Sequence, residues 1–190
     1  MKTITILYFF LLTTYSVVAQ EKLTTNSGEI NFEASVPFLE EIKAVNRTVA
    51  ITLEPKTNTF LCVVMIKDFH FQLDLMQQHF NENYLESERY PKAVFKGKIA
   101  NFDFKDVSAS EKEYVVHGKL YIHGKFKDIE AKLLIKKVNE GLQINSNFPI
   151  SISDFDIQIP EKVVAKISKT ANTKLTGIVK TDDQIYLTLK

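Results

Sequence analysis

Four histidines, one cysteine and two neighbouring aspartates are the residues whose types could carry chemistry in this 190-residue chain. His117 and His123 share one face of "VVHGKLYIHG" but stand six residues apart, about 20 Å along an extended strand. One metal ion needs its ligands clustered around it, so a straight strand keeps this pair from forming a centre. His70 and His79 meet only if the chain folds back between them, and no His-x-x-x-His or Cys-x-x-Cys spacing occurs. Cys62 lies inside "TFLCVVMI", where a free thiol packs as a small hydrophobe; a nucleophile would need exposure and a nearby base. Asp154 and Asp156 share a face in the manner of paired hydrolytic carboxylates, but nothing places a partner acid across a cleft, and they read as a solvated strand end. No G-x-S-x-G elbow, P-loop or dinucleotide glycine pattern is present. "NRT" at 46–48 matches a glycosylation sequon by pattern alone. The expectation is a binding protein without cofactor or metal, the alternative being an enzyme that uses His79 or His117 with a carboxylate.

The elements that would position these residues are strands. Period-two alternation recurs in "NSGEINFEASV" (26–36), after an Asn-Ser-Gly turn, with Ile30, Phe32 and Ala34 on one face. In "VNRTVAITLEP" (45–55) Val45, Val49, Ile51 and Leu53 fall together, and only Arg47 is out of character. "TNTFLCVVMIK" (57–67) is apolar on both faces, as in a strand covered on both sides. Further strands are expected within 92–104, 112–124, 127–138, 141–152, 173–180 and, as "QIYLTLK", 184–190. Eight or nine strands with short connections favour an antiparallel sheet, closed into a barrel or folded into a sandwich. An eight-stranded barrel has an interior that side chains fill or that holds one small ligand.

The first nineteen residues are of another kind. "MKTITILYFFLLTTYSVVA" has one charge, Lys2, then an uncharged run ending in the small residues Val17 and Ala19. This predicts a signal peptide cleaved after Ala19, leaving 20–190 as a single domain, periplasmic or secreted. With 24 basic and 23 acidic residues there is no nucleic-acid footprint. A lone cysteine cannot make an internal disulfide in an exported chain.

One stretch, "LMQQHFNENYLESERYPKAVFKG" (75–97), interrupts the strands. Asp74 followed by Gln77 has the spacing of a capping box, and Asn83 with Glu86 repeats it. Met76, Phe80 and Tyr84 fall four apart on one helical face. Two short helices, roughly 75–81 and 84–89, are expected before Pro91 forces Tyr90 into an extended conformation. Their apolar face would cover the open end of the sheet or pack on its outside.

These residues resemble the YceI-like family of exported proteins. The stretch leads into a "yP-x-x-x-F-x-G" strand, here Tyr90, Pro91, Phe95 and Gly97, followed by a "v-x-G-x-L-x-i-x-G" hairpin at Val116, Gly118, Leu120, Ile122 and Gly124. "FPISISDFDIQIP" (148–160) resembles a third family segment, with Asp156 where glycine is common; "TDDQIYLTLK" (181–190) continues past the usual last strand. The resemblance implies an all-β fold, an eight-stranded antiparallel lipocalin-like barrel with a short helical insertion (about 74–89), holding an amphiphilic lipid of isoprenoid or quinone type. The expected cavity wall is Ile51, Val64, Ile66, Phe95, Ile99 and Leu120, continued by Ile122, Leu133, Ile135 and Phe148. Met76 and Phe80 are the expected lid contacts; His79, Tyr84 and Tyr90 are the head-group candidates, each joining an apolar body to a polar tip. The expected partner is that lipid, with no nucleic acid, no stable membrane insertion after signal cleavage, and room for a homodimer. The alternative is an envelope stress-related interaction module with a filled barrel, binding through "KDFHFQLDLMQQHF" (67–80) by way of Gln77 or Glu82.

Overall fold

The computed structural model describes residues 22–181. The alternating segments become β1 (Leu23–Ser35), β2 (Lys43–Glu54), β3 (Thr59–Met65), β5 (Lys92–Ile99) and β6 (Lys112–Ile122). They are completed by β7 (Lys125–Val138), β8 (Gly141–Ser151) and β9 (Ile167–Thr181), with a two-residue strand β4 (His70–Phe71) laid on the start of β2. The sheet runs β1-β9-β8-β7-β6-β5-β3-β2, every pair antiparallel, and β2 pairs back onto β1. The result is a closed eight-stranded barrel and not a sandwich, and closure leaves none of the eight as a free edge. Gly97 and Gly118 face each other across β5 and β6; a Cβ on Gly118 would lie 2.6 Å from the Gly97 Cα and 2.5 Å from the Lys96 oxygen. This close approach is open only to glycine, which explains Gly97 of the strand motif and Gly118 of the hairpin motif.

Inward side chains fill most of the barrel. Ile51, Leu53, Phe60, Leu133, Ile135 and Ile144 are all fully buried, and the Phe60 and Phe95 rings pack at 6.1 Å. Cys62 joins this core, and burial pushes its thiol up to about 12, so no thiolate forms near neutral pH.

Two local readings are corrected. Asn26-Ser27-Gly28 is not a turn: β1 runs through it, and the shift in pairing between Thr25 and Gly28 marks a bulge. In β2 the pairing passes from Ile30↔Asn46 to Gly28↔Val49, one residue longer on the β2 side. Because side chains alternate with period two, that extra residue reverses the faces before it. Asn46 therefore points inward with no exposed surface, and Val45 does not join Val49, Ile51 and Leu53. The Asn46 amide donates to the Met65 carbonyl (2.9 Å), and its oxygen accepts from the Thr48 N–H (2.9 Å) and hydroxyl. A buried amide with both ends engaged is no glycan acceptor, so the sequon is a pattern without a site. The expected cleavage after Ala19 and the expected strand at 184–190 lie outside the described residues.

Candidate ligand-binding cavity

One end of the barrel is covered by the helix-like stretch. Leu73 is extended, and α1 (Asp74–His79) follows, with the Asp74 carboxylate in its first turn, where the amide dipoles favour an anion. The expected capping box does not form: no side chain caps the first turn. Gln77 instead reaches back to β4, donating to the Phe69 carbonyl (2.5 Å) and accepting from the Phe71 N–H (3.1 Å). That fixes α1 across the barrel end and makes Gln77 half-buried and engaged, not a free contact surface. The helix widens into a π-turn over Phe80–Tyr84, and there the helical segment ends. In place of a second helix over 84–89, Arg89 and Tyr90 both donate backbone N–H groups to the Glu86 carbonyl (2.8 and 2.9 Å). Phe80 is the anchor: its ring meets Phe71 at 5.0 Å, Phe69 at 5.5 Å and Phe32 at 5.9 Å.

A second cover comes from the segment between β8 and β9. A tight turn over Ile152–Phe155 buries Phe155, Ile157 and Ile159 follow, and the single-turn helix α2 (Glu161–Val164) begins after Pro160. The two covers are clasped at a barrel corner by His123. Its Nδ1–H donates to the Phe155 carbonyl (3.1 Å), its Nε2 lies 2.8 Å from Glu86 Oε2, and Tyr90 packs edge-on at 4.7 Å. Asp156 takes a left-handed backbone (φ 52°), the conformation that favours glycine and that Asp tolerates. The hydrogen bond and charge of Lys125, 2.7 Å away, hold its carboxyl below the ordinary range. Asp154 pairs with Lys127 at 3.7 Å, so neither aspartate faces a cleft. His117 is exposed, 3.5 Å from Glu130, on the barrel's outer face.

Between the covers and the barrel lies a cavity of about 350 Å³. Ala34, Ile42, Ile150 and Ala171 form its upper wall, and Phe32 and Thr173 the row beneath. Ile66, Phe69, Phe71 and Phe80 close one side, Ile157, Ile159 and Val163 the other. The lining is apolar apart from Glu40, His79, Tyr84, Thr173 and Lys166. Thr173 spends its hydroxyl on the Phe148 carbonyl (2.5 Å); the other four form no side-chain hydrogen bond or ion pair among the described residues. An apolar chamber with a few uncommitted polar groups is the arrangement that seats a tail and orients a head.

Of the residues expected to line a cavity, the structure brings together Ile66, Met76, Phe80, His79 and Tyr84. Ile51, Val64, Phe95 and Ile99 lie deeper, in the filled core, as do Leu120, Ile122, Leu133 and Ile135. Phe148 borders a separate groove of about 680 Å³, open to solvent beside Asn147 and Lys174. Tyr90 sits at the His123 corner, away from the cavity. Sequence reasoning missed Glu40, Ile157, Ile159, Val163 and Lys166; the alternation Phe155-Ile157-Ile159 was the available signal. Among the described residues no helix is long and apolar enough to cross a membrane.

A closed antiparallel barrel, filled below and covered above an apolar chamber, is a lipocalin-like architecture. Within that class the chain belongs to the YceI-like family, whose domain model matches residues 16–181. No curated protein sequence matches it. Among solved structures it is similar to a polyisoprenoid-binding domain from Saccharophagus degradans, implicated in plant cell wall breakdown. That likeness has 12% identity and a TM-score of 0.72, covering 86% of this chain and 99% of that one. It is also similar to BcnA of Burkholderia cenocepacia (17%, TM-score 0.64, 81% of this chain and 96% of that one). The Campylobacter jejuni YceI protein matches at 17% and TM-score 0.52, over 70% of this chain and 81% of that one.

Proposed function

We propose that this chain is an exported, non-enzymatic carrier that holds an amphiphilic lipid, of isoprenoid or quinone type, with its tail in the covered cavity. The observation that carries this reading is the cavity of about 350 Å³, apolar on nearly all sides and partly roofed by two covers that Gln77 and His123 tie down. The description of the Saccharophagus degradans neighbour as polyisoprenoid-binding supports it. Tail burial supplies the binding energy, about 25 cal/mol per Å² of apolar surface removed from water. Glu40 and Lys166 are exposed and His79 and Tyr84 half-buried, which makes these uncommitted polar groups the candidates to meet the head. Action as a periplasmic or secreted protein follows from the leader expected at residues 1–19.

The test places a charge in the chamber without touching the barrel core. Met76→Glu, at a half-buried lining position of α1, is expected to weaken uptake of a prenyl alcohol at least tenfold while the circular dichroism spectrum stays β-rich. Unchanged uptake by the folded variant would sink the proposal. A second reading, a protein-interaction module, draws on the exposed Phe38, Leu39, Leu73, Leu75 and Val164 near the same end. It requires a partner whose capture survives Met76→Glu.

A further inference from the structure

Nine large hydrophobic side chains are exposed among the described residues, and five of them gather in one place: Phe38, Leu39, Leu73, Leu75 and Val164. They come from three separate segments, the β1–β2 connection, the start of α1, and α2. All three segments border the mouth of the chamber, whose lining includes Glu40, Leu73, Leu75 and Val163. Phe38 stands out furthest. It lies in the turn between β1 and β2, fully exposed, with no ring or cation partner among the described residues. Its backbone has φ 66°, in the left-handed region that a bulky side chain rarely adopts. An aromatic ring held in water on a disfavoured backbone gains nothing from this chain alone, so its contact lies outside the chain.

Two features of the rim say what that contact is. The apolar wall of the chamber runs through Leu73 and Leu75, 49% and 62% exposed, onto the rim, so one apolar surface serves both. The charges around it are mixed in sign: Glu40, Glu41, Asp74 and Glu161 against Lys43, Lys162 and Lys166, all exposed. Such a collar has no one-signed field to draw a charged partner, and it matches head groups that carry both signs. We propose that this rim docks the mouth of the chamber on a bilayer of zwitterionic lipid, with Phe38 and its neighbours entering below the head groups. This rests on the reading of the cavity as a lipid site and adds the surface from which the lipid arrives. The docking is peripheral and reversible, since only a few side chains enter. A docked mouth lets a tail pass from bilayer to chamber without exposing its carbons to water.

The experiment floats the full chain, as its cell processes it, with phosphatidylcholine vesicles, and then measures uptake of a prenyl alcohol from those vesicles and from cyclodextrin. The wild type is expected to float with the vesicles, and to do so equally at roughly 1 M salt, where charge contacts are screened. Phe38→Asn keeps a residue that tolerates the left-handed backbone, and Val164→Gln alters an exposed position, so both variants should fold. Each is expected to weaken vesicle binding about fivefold, in keeping with the apolar area it withdraws from the bilayer. Each should slow uptake from vesicles by a similar factor and leave uptake from cyclodextrin unchanged. Phe104→Asn, an exposed ring in the β5–β6 connection at the other end of the barrel, should change neither. Uptake from cyclodextrin without flotation, or flotation that Phe104→Asn weakens as much as Phe38→Asn, overturns the docking and leaves the carrier intact. Flotation abolished by salt overturns it too. A dimer that Phe38→Asn dissociates, with no flotation, assigns the rim to a second copy of the chain and has the same consequence. Uptake from neither source removes the carrier reading and the docking role with it.

Discussion

Phe80→Ala is expected to lower the stability of the protein by about 3–5 kcal/mol and to empty the cavity in the same step. Phe80 is 8% exposed, and its ring is packed by Phe32, Phe69 and Phe71, which come from β1, β4 and the turn before β4. It stands at the point where α1 passes into the π-turn, and Leu85 bonds back to its carbonyl at 2.9 Å. Truncation removes the transfer energy of the ring, leaves a void among three others, and takes away the buried face that holds the cover. Urea unfolding should show a lower midpoint with little change in slope, since the barrel still unfolds as a unit. Any lipid retained by the wild type should be lost. Phe104→Ala, a 38%-exposed ring outside both the core and the cover, should change stability by no more than about 0.5 kcal/mol. Equal effects at the two positions would show that the cover is not anchored through Phe80.

Asn46→Ala is the largest polar effect expected, about 1–3 kcal/mol. The Asn46 side chain bonds both the Met65 carbonyl and the Thr48 N–H, so its loss strands an acceptor and a donor together at the β2 bulge. Met65 is half-buried and Thr48 exposed, so water reaches the stranded donor and the cost is that of one buried group left without a partner, about 1–3 kcal/mol. Asn46 also ties β2 to the end of β3, directly before the segment that enters β4 and the cover. Asn46→Asp keeps the acceptor and loses the donor, and should be intermediate near neutral pH only if the charge reaches water. Thermal unfolding of both variants measures this, and a loss under about 0.5 kcal/mol for Asn46→Ala would contradict the bulge account.

The barrel was legible because strands with one buried face print their period on the sequence; Ile30, Phe32 and Ala34 share the inward face as expected. Strand β3, expected to be covered on both sides, fully buries only Phe60, Cys62 and Val64, because its other face is the outside of the barrel. The exceptions lie where an extra residue breaks the period. At Arg47 and Thr48 the bulge turned Asn46 inward, and nothing in residue type distinguished a buried amide from a loop amide. The covering stretch was legible as a helix through Met76 and Phe80, but its second half carried capping signals that Glu86 uses otherwise, as a turn and a partner for His123. The chamber itself was less legible. Strand periodicity reports which side chains face inward, whereas a cavity is set by volume left unfilled at one end of the barrel. Ile51, Leu133 and Ile135 face inward and are packed solid; Ile157, Ile159 and Val163 lie outside the strands and line the space.

The most direct test of the carrier account is native mass spectrometry of the protein purified without detergent from its own envelope, followed by organic extraction. The expected result is one lipid per chain, released on unfolding. A folded, β-rich protein that carries no bound mass, and gains none when offered prenyl alcohols, would contradict it.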